Sequence, residues 1–347
     1  MEIALEERLR RGGVAGSAPE LRRVAERMDR YGERGAAAAY VLAGEAWACL
    51  GHVAAAAELL ERGTRLAGTA TGPWPQRAGL AAALLAARAG RQDVSATDTV
   101  HRALLSGCPL QRERAELVQA IGLLARGQWH DAYLLLLPLL ADPEPELVVW
   151  GLLSHFADAA VHCRCAAPAR ETVSALGAAA DLFEDDLTLA ELMYATAVLS
   201  EPAHADACFE AVLSHDPTRW PWLAARAHLA YGERLRRTRR VGEARSHLVA
   251  ARRLFAAMGA TPWELRAAGE LRAAGVREDR AAAPQDRLPL SPQELEIARL
   301  AASGMTNRQI GQAMYLSPRT VGSHLYRIFP KLNVTSRIQL SRLAGLG

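Results

Sequence analysis

Short hinges, several of them containing glycine, recur through residues 22–275 at a nearly constant spacing. At each hinge an apolar segment rich in Ala and Leu ends, and a second segment starts with small residues. The spacing is about 37 to 39 residues, the length of a two-helix repeat. Because one helix pair cannot bury both of its faces, neighbouring pairs must stack. The sequence therefore predicts an all-α helical solenoid, with hinges near residues 51, 90, 127, 164, 201 and 239.

The hinge sequences resemble those of tetratricopeptide repeats. Gly51 with Ala55, Gly127 with Ala132, and Ala244 lie near positions at which that family has small residues. The resemblance implies a superhelix whose concave side is a natural binding surface. An irregular helical bundle is the alternative.

Composition agrees with an all-α fold, because Ala and Leu are abundant, aromatic residues make up 5% of the chain and β-branched runs are almost absent. No window approaches the roughly 18 to 20 apolar residues of a membrane span, and no leader is recognisable. We therefore expect a cytoplasmic protein with no membrane partner. The odd number of scattered cysteines fits a reducing compartment; they are Cys49, Cys108, Cys163, Cys165 and Cys208.

The sequence loses its apolar periodicity after Gly275. We therefore predict three parts: a repeat domain at 1–275, a linker at 276–287 and a second domain at 288–347. The last of these has seven Arg and Lys against two Glu, a formal charge of +5, whereas the rest of the chain sums to −2. A basic C-terminal domain is typical of nucleic-acid binding.

Lys331 is the only lysine of the chain. A phosphate-binding loop of the G-x-x-x-x-G-K-[ST] type therefore has no place here, and neither has a phosphoacceptor receiver domain, which also needs a lysine. No arrangement of residues suggests catalysis. We predict no enzyme activity, no cofactor and no metal site.

Four short helices are predicted at the C-terminal end. Residues 291–294 form a capping box and Gly304 ends the first helix, residues 306–309 start the second, Ser317-Pro318 starts the third, and Thr335-Ser336 starts the fourth. The second and third helices, joined by a tight turn, form a helix-turn-helix, whose second helix enters the DNA major groove.

The segment LSPQELEIARLAASGMTNRQIGQAMYLSPRTVGSHLYRIFPKLNVTSRIQL resembles the four-helix LuxR-type DNA-binding domain. The promoter-reading domain of sigma factors has a similar start, but the SPRTV-x-x-H and PKL-x-V-x-S-R segments favour the LuxR type. Repeats followed by such a domain resemble the C-terminal part of large ATP-binding LuxR regulators, here without the ATPase.

Helical phase separates two sides of the third helix. The inward side holds Val321, Leu325, Ile328 and Leu332, which would hold the helix on its domain. The groove side holds Arg319, Ser323 and Tyr326, with Gly322 at its edge. The resemblance implies base contacts from Gly322, Ser323 and Tyr326. Because the family often has lysine where this chain has Gly322, specificity is expected from Ser323, Tyr326 and Arg319.

Flanking donors are predicted to bind phosphates. They are Asn307, Arg308, Thr320, Arg327 and Lys331. His324 is interpreted as a packing residue, with phosphate binding as its alternative. Pro330 predicts that the helix bends or ends near Phe329, after about twelve residues.

The sequence thus predicts a sequence-specific transcriptional regulator that binds double-stranded promoter DNA. We expect a homodimer on DNA, with Leu340 and Leu343 of the fourth helix as its contact, and a repeat domain that senses a ligand or docks RNA polymerase or a regulatory protein. Two alternatives remain. The first is a scaffold for protein–protein interaction. The second is a fragment of an ATP-dependent LuxR regulator that needs an ATPase in trans.

Overall fold

The computed structural model of the protein describes most of the chain, and every regular element in the described ranges is helical, which confirms the all-α prediction. Two units are present, Met1–Val276 (the repeat unit) and Arg277–Gly347 (the C-terminal unit). The predicted linker lies outside the described residues except for Val276. The described ranges are 18–32, 35–68, 73–91, 94–141, 151–178, 186–200, 202–276, 292–314, 317–332, 334 and 336–340.

The helices follow one another as antiparallel pairs. In the repeat unit they are α1 (18–30), α2 (Ala36–Leu50), α3 (Val53–Ala67), α4 (Pro73–Arg88), α5 (Val94–Leu104), α6 (Pro109–Ala125), α7 (Trp129–Leu136), α8 (Leu152–His162), α9 (Ala166–Ala178), α10 (Asp186–Leu199), α11 (Pro202–Leu213), α12 (Pro221–Arg237), α13 (Val241–Ala257) and α14 (Thr261–Ala273). In the C-terminal unit they are α15 (Pro292–Ala302), α16 (Asn307–Met314), α17 (Pro318–Lys331) and α18 (Arg337–Leu340).

The predicted hinges share one backbone conformation. Gly51, Gly90 and Gly127 have φ angles of 98°, 71° and 75°, and Arg164 and Arg239 take the same left-handed region at 64° and 66°. At Gly51 the amide donates to the Ala48 carbonyl at 3.1 Å and the next amide, of His52, donates to the Trp47 carbonyl at 3.0 Å. This is a Schellman cap, which satisfies the last carbonyls of α2 while it reverses the chain. Five predicted hinges are thus confirmed, and residue 201 lies outside the described residues.

The pairs form an inner and an outer layer. Helices α2, α4, α6, α8, α10 and α12 contact one another in sequence, and they make up the inner layer. In α2, 13 of 15 residues are buried, whereas the outer helix α3 buries only Ala56, Leu59, Leu60 and Gly63 on one stripe. A helix that is apolar on all sides must be surrounded. The inner layer is therefore core.

The inner layer also closes on itself, since α12 contacts α2. Gly51 shows how near these helices come: a Cβ built there would lie 2.7 Å from the backbone nitrogen of Trp222. A Cβ built on Gly90 would lie 2.5 Å from the Pro262 side chain of α14. The resemblance to tetratricopeptide repeats implied an open concave face, but in the described residues that face is filled by these contacts and by buried side chains.

Charged side chains are buried where the inner helices meet. The guanidinium of Arg226 on α12, 1% exposed, pairs with the Asp158 carboxylate on α8 at 2.8 Å. Tyr194 on α10 donates its hydroxyl hydrogen to Asp158 at 2.7 Å. Burial alone would raise the pKa of Asp158, but the Arg226 charge lowers it below its usual value. The pair therefore stabilises the fold at neutral pH and loses this contribution as the pH falls and Asp158 takes up a proton.

A second buried cluster joins the first inner helices. Glu45 on α2 accepts from Arg77 on α4 at 2.5 Å and pairs with Arg114 on α6 at 3.0 Å. Arg88 donates to the Ala48 carbonyl at 2.7 Å, and its guanidinium lies 4.3 Å from the Trp222 ring. Because Arg88 is the last residue of α4 and Trp222 lies in the first turn of α12, this contact spans the closure. Buried ions are costly unless they are paired, so these contacts favour one arrangement of the inner helices.

The Arg226–Asp158 pair yields a stability prediction. Arg226→Leu should lower the free energy of unfolding of the repeat unit by about 3 to 5 kcal/mol, because it leaves a buried carboxylate without its counter-charge. Urea unfolding followed by tryptophan fluorescence measures this unit alone, because all seven tryptophans lie between Trp47 and Trp263.

The control is Arg102→Leu, since Arg102 pairs with Asp98 on the exposed side of α5. Its effect should be below about 1 kcal/mol. Adding Asp158→Asn to Arg226→Leu should recover part of the loss. Equal unfolding midpoints for Arg226→Leu and Arg102→Leu would contradict the assignment.

Candidate nucleic-acid interface

Side-chain caps set the starts of α16 and α17. The Thr306 hydroxyl and amide both donate to the Gln309 side-chain oxygen, at 2.9 and 2.8 Å, just before α16. Ser317 precedes α17, and its hydroxyl accepts from the Thr320 amide at 3.0 Å. Such a cap contributes about 1 kcal/mol to a helix. Gly304, with φ at 91°, ends α15 as predicted.

The predicted inward side of α17 is confirmed. Val321, Leu325, Ile328 and Leu332 are buried in a core with Ile297 and Ala301 of α15 and Ile310 of α16, to which Val334 and Leu340 also belong. Helices α15 and α16 both contact α17. The inward stripe holds α17 in one rotational setting, so the opposite side of this helix is presented outward.

The outward side of α17 carries the residues predicted to read bases. Arg319, Ser323 and Tyr326 are exposed, and Tyr326 has 82% of its surface accessible although it is aromatic. Ser323 donates its hydroxyl hydrogen to the Arg319 carbonyl at 3.2 Å. Gly322 is half-buried, and a Cβ there would meet the Asn307 side-chain nitrogen at 3.6 Å, an ordinary contact. The structure therefore brings the four predicted residues onto one side.

Two predicted phosphate contacts already have partners within the domain. The Thr320 and Ser317 hydroxyls lie 2.7 Å apart in the cap of α17. The Asn307 side-chain oxygen accepts from Arg337 at 2.9 Å. Arg337 also donates to the Met305 carbonyl, and it thereby joins α18 to the turn before α16. The sequence gives no sign of this role of Arg337, because its partners lie about 30 residues away along the chain.

Arg308 and Arg327 are exposed at the start of α16 and along α17. The Arg327 guanidinium lies 3.4 Å from His324 Nδ1, and His324 is half-buried beside it. Arg308 therefore presents an exposed charge on α16, and Arg327 presents one on α17. They are the predicted phosphate donors that the structure leaves accessible.

Lys331 has a different partner. Its ammonium group donates to both carboxylate oxygens of Glu294 at 2.6 Å, and Glu294 is buried at the start of α15. The pair joins the end of α17 to the first helix of the unit. The sequence assigned Lys331 to a phosphate contact; within the C-terminal unit its ammonium group pairs with Glu294, and its side chain is 40% exposed.

Two expectations are corrected. Helix α17 continues through Pro330 and ends at Lys331. A proline in the last turn removes only the hydrogen bond to the Tyr326 carbonyl. The amides of Leu332 and Val334 donate to the carbonyls of Ile328 and Phe329 at the end of the helix. Leu340 is fully buried in the domain core, so it is not exposed for dimer contact. Leu343, its predicted companion, lies outside the described residues.

None of the described helices combines the length and the apolar character that crossing a bilayer requires. Within the same described residues, no three side chains of His, Cys, Asp or Glu are grouped so that they could hold a metal ion.

Comparison with known proteins concerns the C-terminal unit. Residues 288–344 match the family described as bacterial regulatory proteins, luxR family. A protein of Mycobacterium tuberculosis named as an HTH-type transcriptional regulator is 41% identical over 51 residues, which are 15% of this chain and 6% of that protein. The virulence-factor transcription regulator BvgA of Bordetella pertussis is 44% identical over 55 residues, 16% of this chain and 26% of its own.

The response regulator UvrY of Escherichia coli is 40% identical over 55 residues, 16% of this chain and 25% of its own. The chain therefore spans about a quarter or much less of the length of these relatives. No solved structure gives a significant match to the chain. The family match and the helix-turn-helix geometry agree on the same residues: the C-terminal unit is a helix-turn-helix domain of the luxR family of bacterial regulatory proteins.

Proposed function

We propose that the protein is a cytoplasmic, sequence-specific regulator of transcription that binds promoter DNA through α17. The observation that carries this proposal is the outward side of α17, where Arg319, Ser323 and Tyr326 are exposed on a helix that its opposite side holds firmly. Genome-wide mapping of DNA fragments bound by the purified protein tests the proposal. Enrichment of shared sites upstream of genes is the expected result, and binding without sequence preference would contradict it.

Base recognition is assigned to the side chains of three residues and to the backbone at Gly322. Arg319 offers a guanidinium suited to guanine, and Ser323 and Tyr326 offer hydroxyl groups that both donate and accept. The Ser323 hydroxyl now bonds to its own helix, and it can rotate toward a base edge. Gly322 has no donor, so it serves as the place where a base edge approaches the backbone closely.

Phosphate contacts are assigned to Arg308 and Arg327, with the Asn307 side-chain nitrogen and the Thr320 end of α17 as neutral donors. The two arginines are exposed, and their charges supply the salt-dependent part of the affinity. Lys331 is assigned to the stability of the domain through Glu294.

Salt dependence separates Arg327 from Lys331. Arg327→Ala should reduce the slope of log affinity against log salt by about 0.9, the value for one phosphate contact on duplex DNA. Lys331→Met should leave the slope unchanged and lower the melting temperature of the fragment 277–347, since it leaves Glu294 buried without its cation. Fluorescence anisotropy with a labelled duplex gives the slope, and circular dichroism gives the melting.

Arg299→Ala is the matched control, because Arg299 is exposed on α15 and does not belong to the helix-turn-helix. It should change neither quantity. A reduced slope for Lys331→Met with unchanged melting would restore the phosphate contact that the sequence suggested.

Sequence preference tests the base-reading residues. Ser323→Ala and Tyr326→Ala should each reduce discrimination at one or two base pairs by about 1 to 3 kcal/mol, while they leave the salt slope intact. Selection of bound duplexes from a randomised pool measures this. If the selected sequences are the same for the wild type and both variants, the reading side of α17 is misassigned.

Regulation requires the repeat unit to respond to something. We assign it the role of a sensor of a ligand or a docking module for RNA polymerase or a regulatory protein, with the chain acting as a homodimer on half-sites about one helical turn apart. Because the inner layer is filled, the responding surface belongs to the outer helices and the clefts between them.

A further inference from the structure

A cleft of about 560 Å³ opens between α4, α5 and α6 of the repeat unit. Its volume falls within the range of small-molecule sites, roughly 300 to 1,000 Å³. The lining is mostly apolar. It includes Ala83, Ala87, Val100, Leu104, Val118 and Leu123.

Gly122 opens the floor of this cleft. A Cβ built there would meet only the Arg126 side chain, at 3.5 Å. Several other helix-interior glycines of the unit receive a facing helix: Gly44 lies against Leu60 and Gly232 against Leu248, each with 2.7 Å to a built Cβ, whereas Gly269 meets only the Arg272 side chain. Glycine is less favourable than alanine inside a helix. At Gly122 no such helix packing explains it, and the space above it is part of the cleft.

Positive charge is concentrated at one end of the cleft. Arg91 follows α4 and Arg126 follows α6, and because α5 reverses the chain between them, these two helices run in the same direction and end on the same side. Both arginines line the cleft, and none of its described lining residues is acidic. Arg126 donates to Gln128 through Nε at 2.9 Å, while its Nη1 lies above Gly122.

We propose that this cleft binds a small amphiphilic acid: an apolar chain or ring in the groove, with one carboxylate or sulfonate between Arg91 and Arg126. From Val118 to Arg126 the groove follows α6 for about 12 Å, which gives room for a medium-length chain. An apolar pocket with a few convergent polar groups is the usual form of a ligand site. The inference names the ligand class of the sensor, and its regulatory meaning rests on the proposed function.

Decanoate is the probe, used below its micelle-forming concentration with the full chain. Isothermal titration calorimetry should give saturable binding at one site per chain. Decylamine has the same chain with the opposite charge and should bind at least tenfold more weakly. Equal binding of the two would show that only the alkyl chain is recognised, and it would overturn the site.

Three variants test the geometry. Arg91→Gln and Arg126→Gln should each weaken decanoate binding about three- to fivefold, the effect of losing one exposed charge pair. Gly122→Leu should abolish binding, because its side chain fills the groove. The matched controls are Arg102→Gln on the outside of α5 and Gly269→Leu, at a helical glycine that faces only the flexible Arg272 side chain. Both controls should bind as the wild type does.

Tryptophan fluorescence in urea shows whether the Gly122→Leu variant is folded. If that variant does not fold, the two arginine variants still test the site. Unchanged decanoate binding in folded Gly122→Leu, or in both arginine variants, would place the ligand elsewhere. Absence of decanoate binding together with binding of an acidic amphipathic peptide would make the cleft a protein-docking surface and overturn the proposal.

DNA binding by the same variants, measured without decanoate, should equal that of the wild type. A wild-type protein that binds decanoate and no DNA would contradict the proposed function and leave the cleft assignment standing.

Discussion

Five inner helices of the repeat unit, α2, α4, α6, α8 and α12, end where the chain enters the left-handed region, and the architecture depends on that conformation. The residue at the hinge reverses the chain while two backbone amides satisfy the carbonyls of the helix that ends. At Gly51 the missing Cβ also admits the backbone of α12. Arg164 and Arg239 adopt the same conformation without being glycine, at a cost of about 1 to 2 kcal/mol each, which the packing of the flanking helices must offset.

The local part of this arrangement was predictable. Spacing and composition located the hinges, and the amphipathic stripe of α3 or α13 distinguishes outer helices from the uniformly apolar α2. The closure between α2 and α12 was not predictable, because it joins segments about 170 residues apart that carry no complementary pattern. Buried charges were missed for a related reason: Arg226 and Asp158 look like surface residues until three inner helices surround them.

In the C-terminal unit, too, the local features could be predicted from the sequence and the long-range contacts could not. Helical phase alone identified both sides of α17, since a period of about 100° per residue is a local property. The pairing of Lys331 with Glu294 was not visible in the sequence, because this carboxylate lies 37 positions earlier in the chain. The capping-box position of Glu294 was visible in the sequence, but its burial was not. Arg337 was missed likewise, since its contacts with Asn307 and Met305 exist only once α18 is folded against the turn.

Closure of the inner layer has a consequence for how the repeat unit loses its structure. An open repeat array behaves as a one-dimensional chain of neighbours, so that its terminal repeats can fray while the middle stays folded. Here α2, near the start of the array, is held by α12, near its end. Opening either end therefore breaks contacts at the other, and local unfolding is coupled across the whole unit. The repeats should melt together, as a globular domain does.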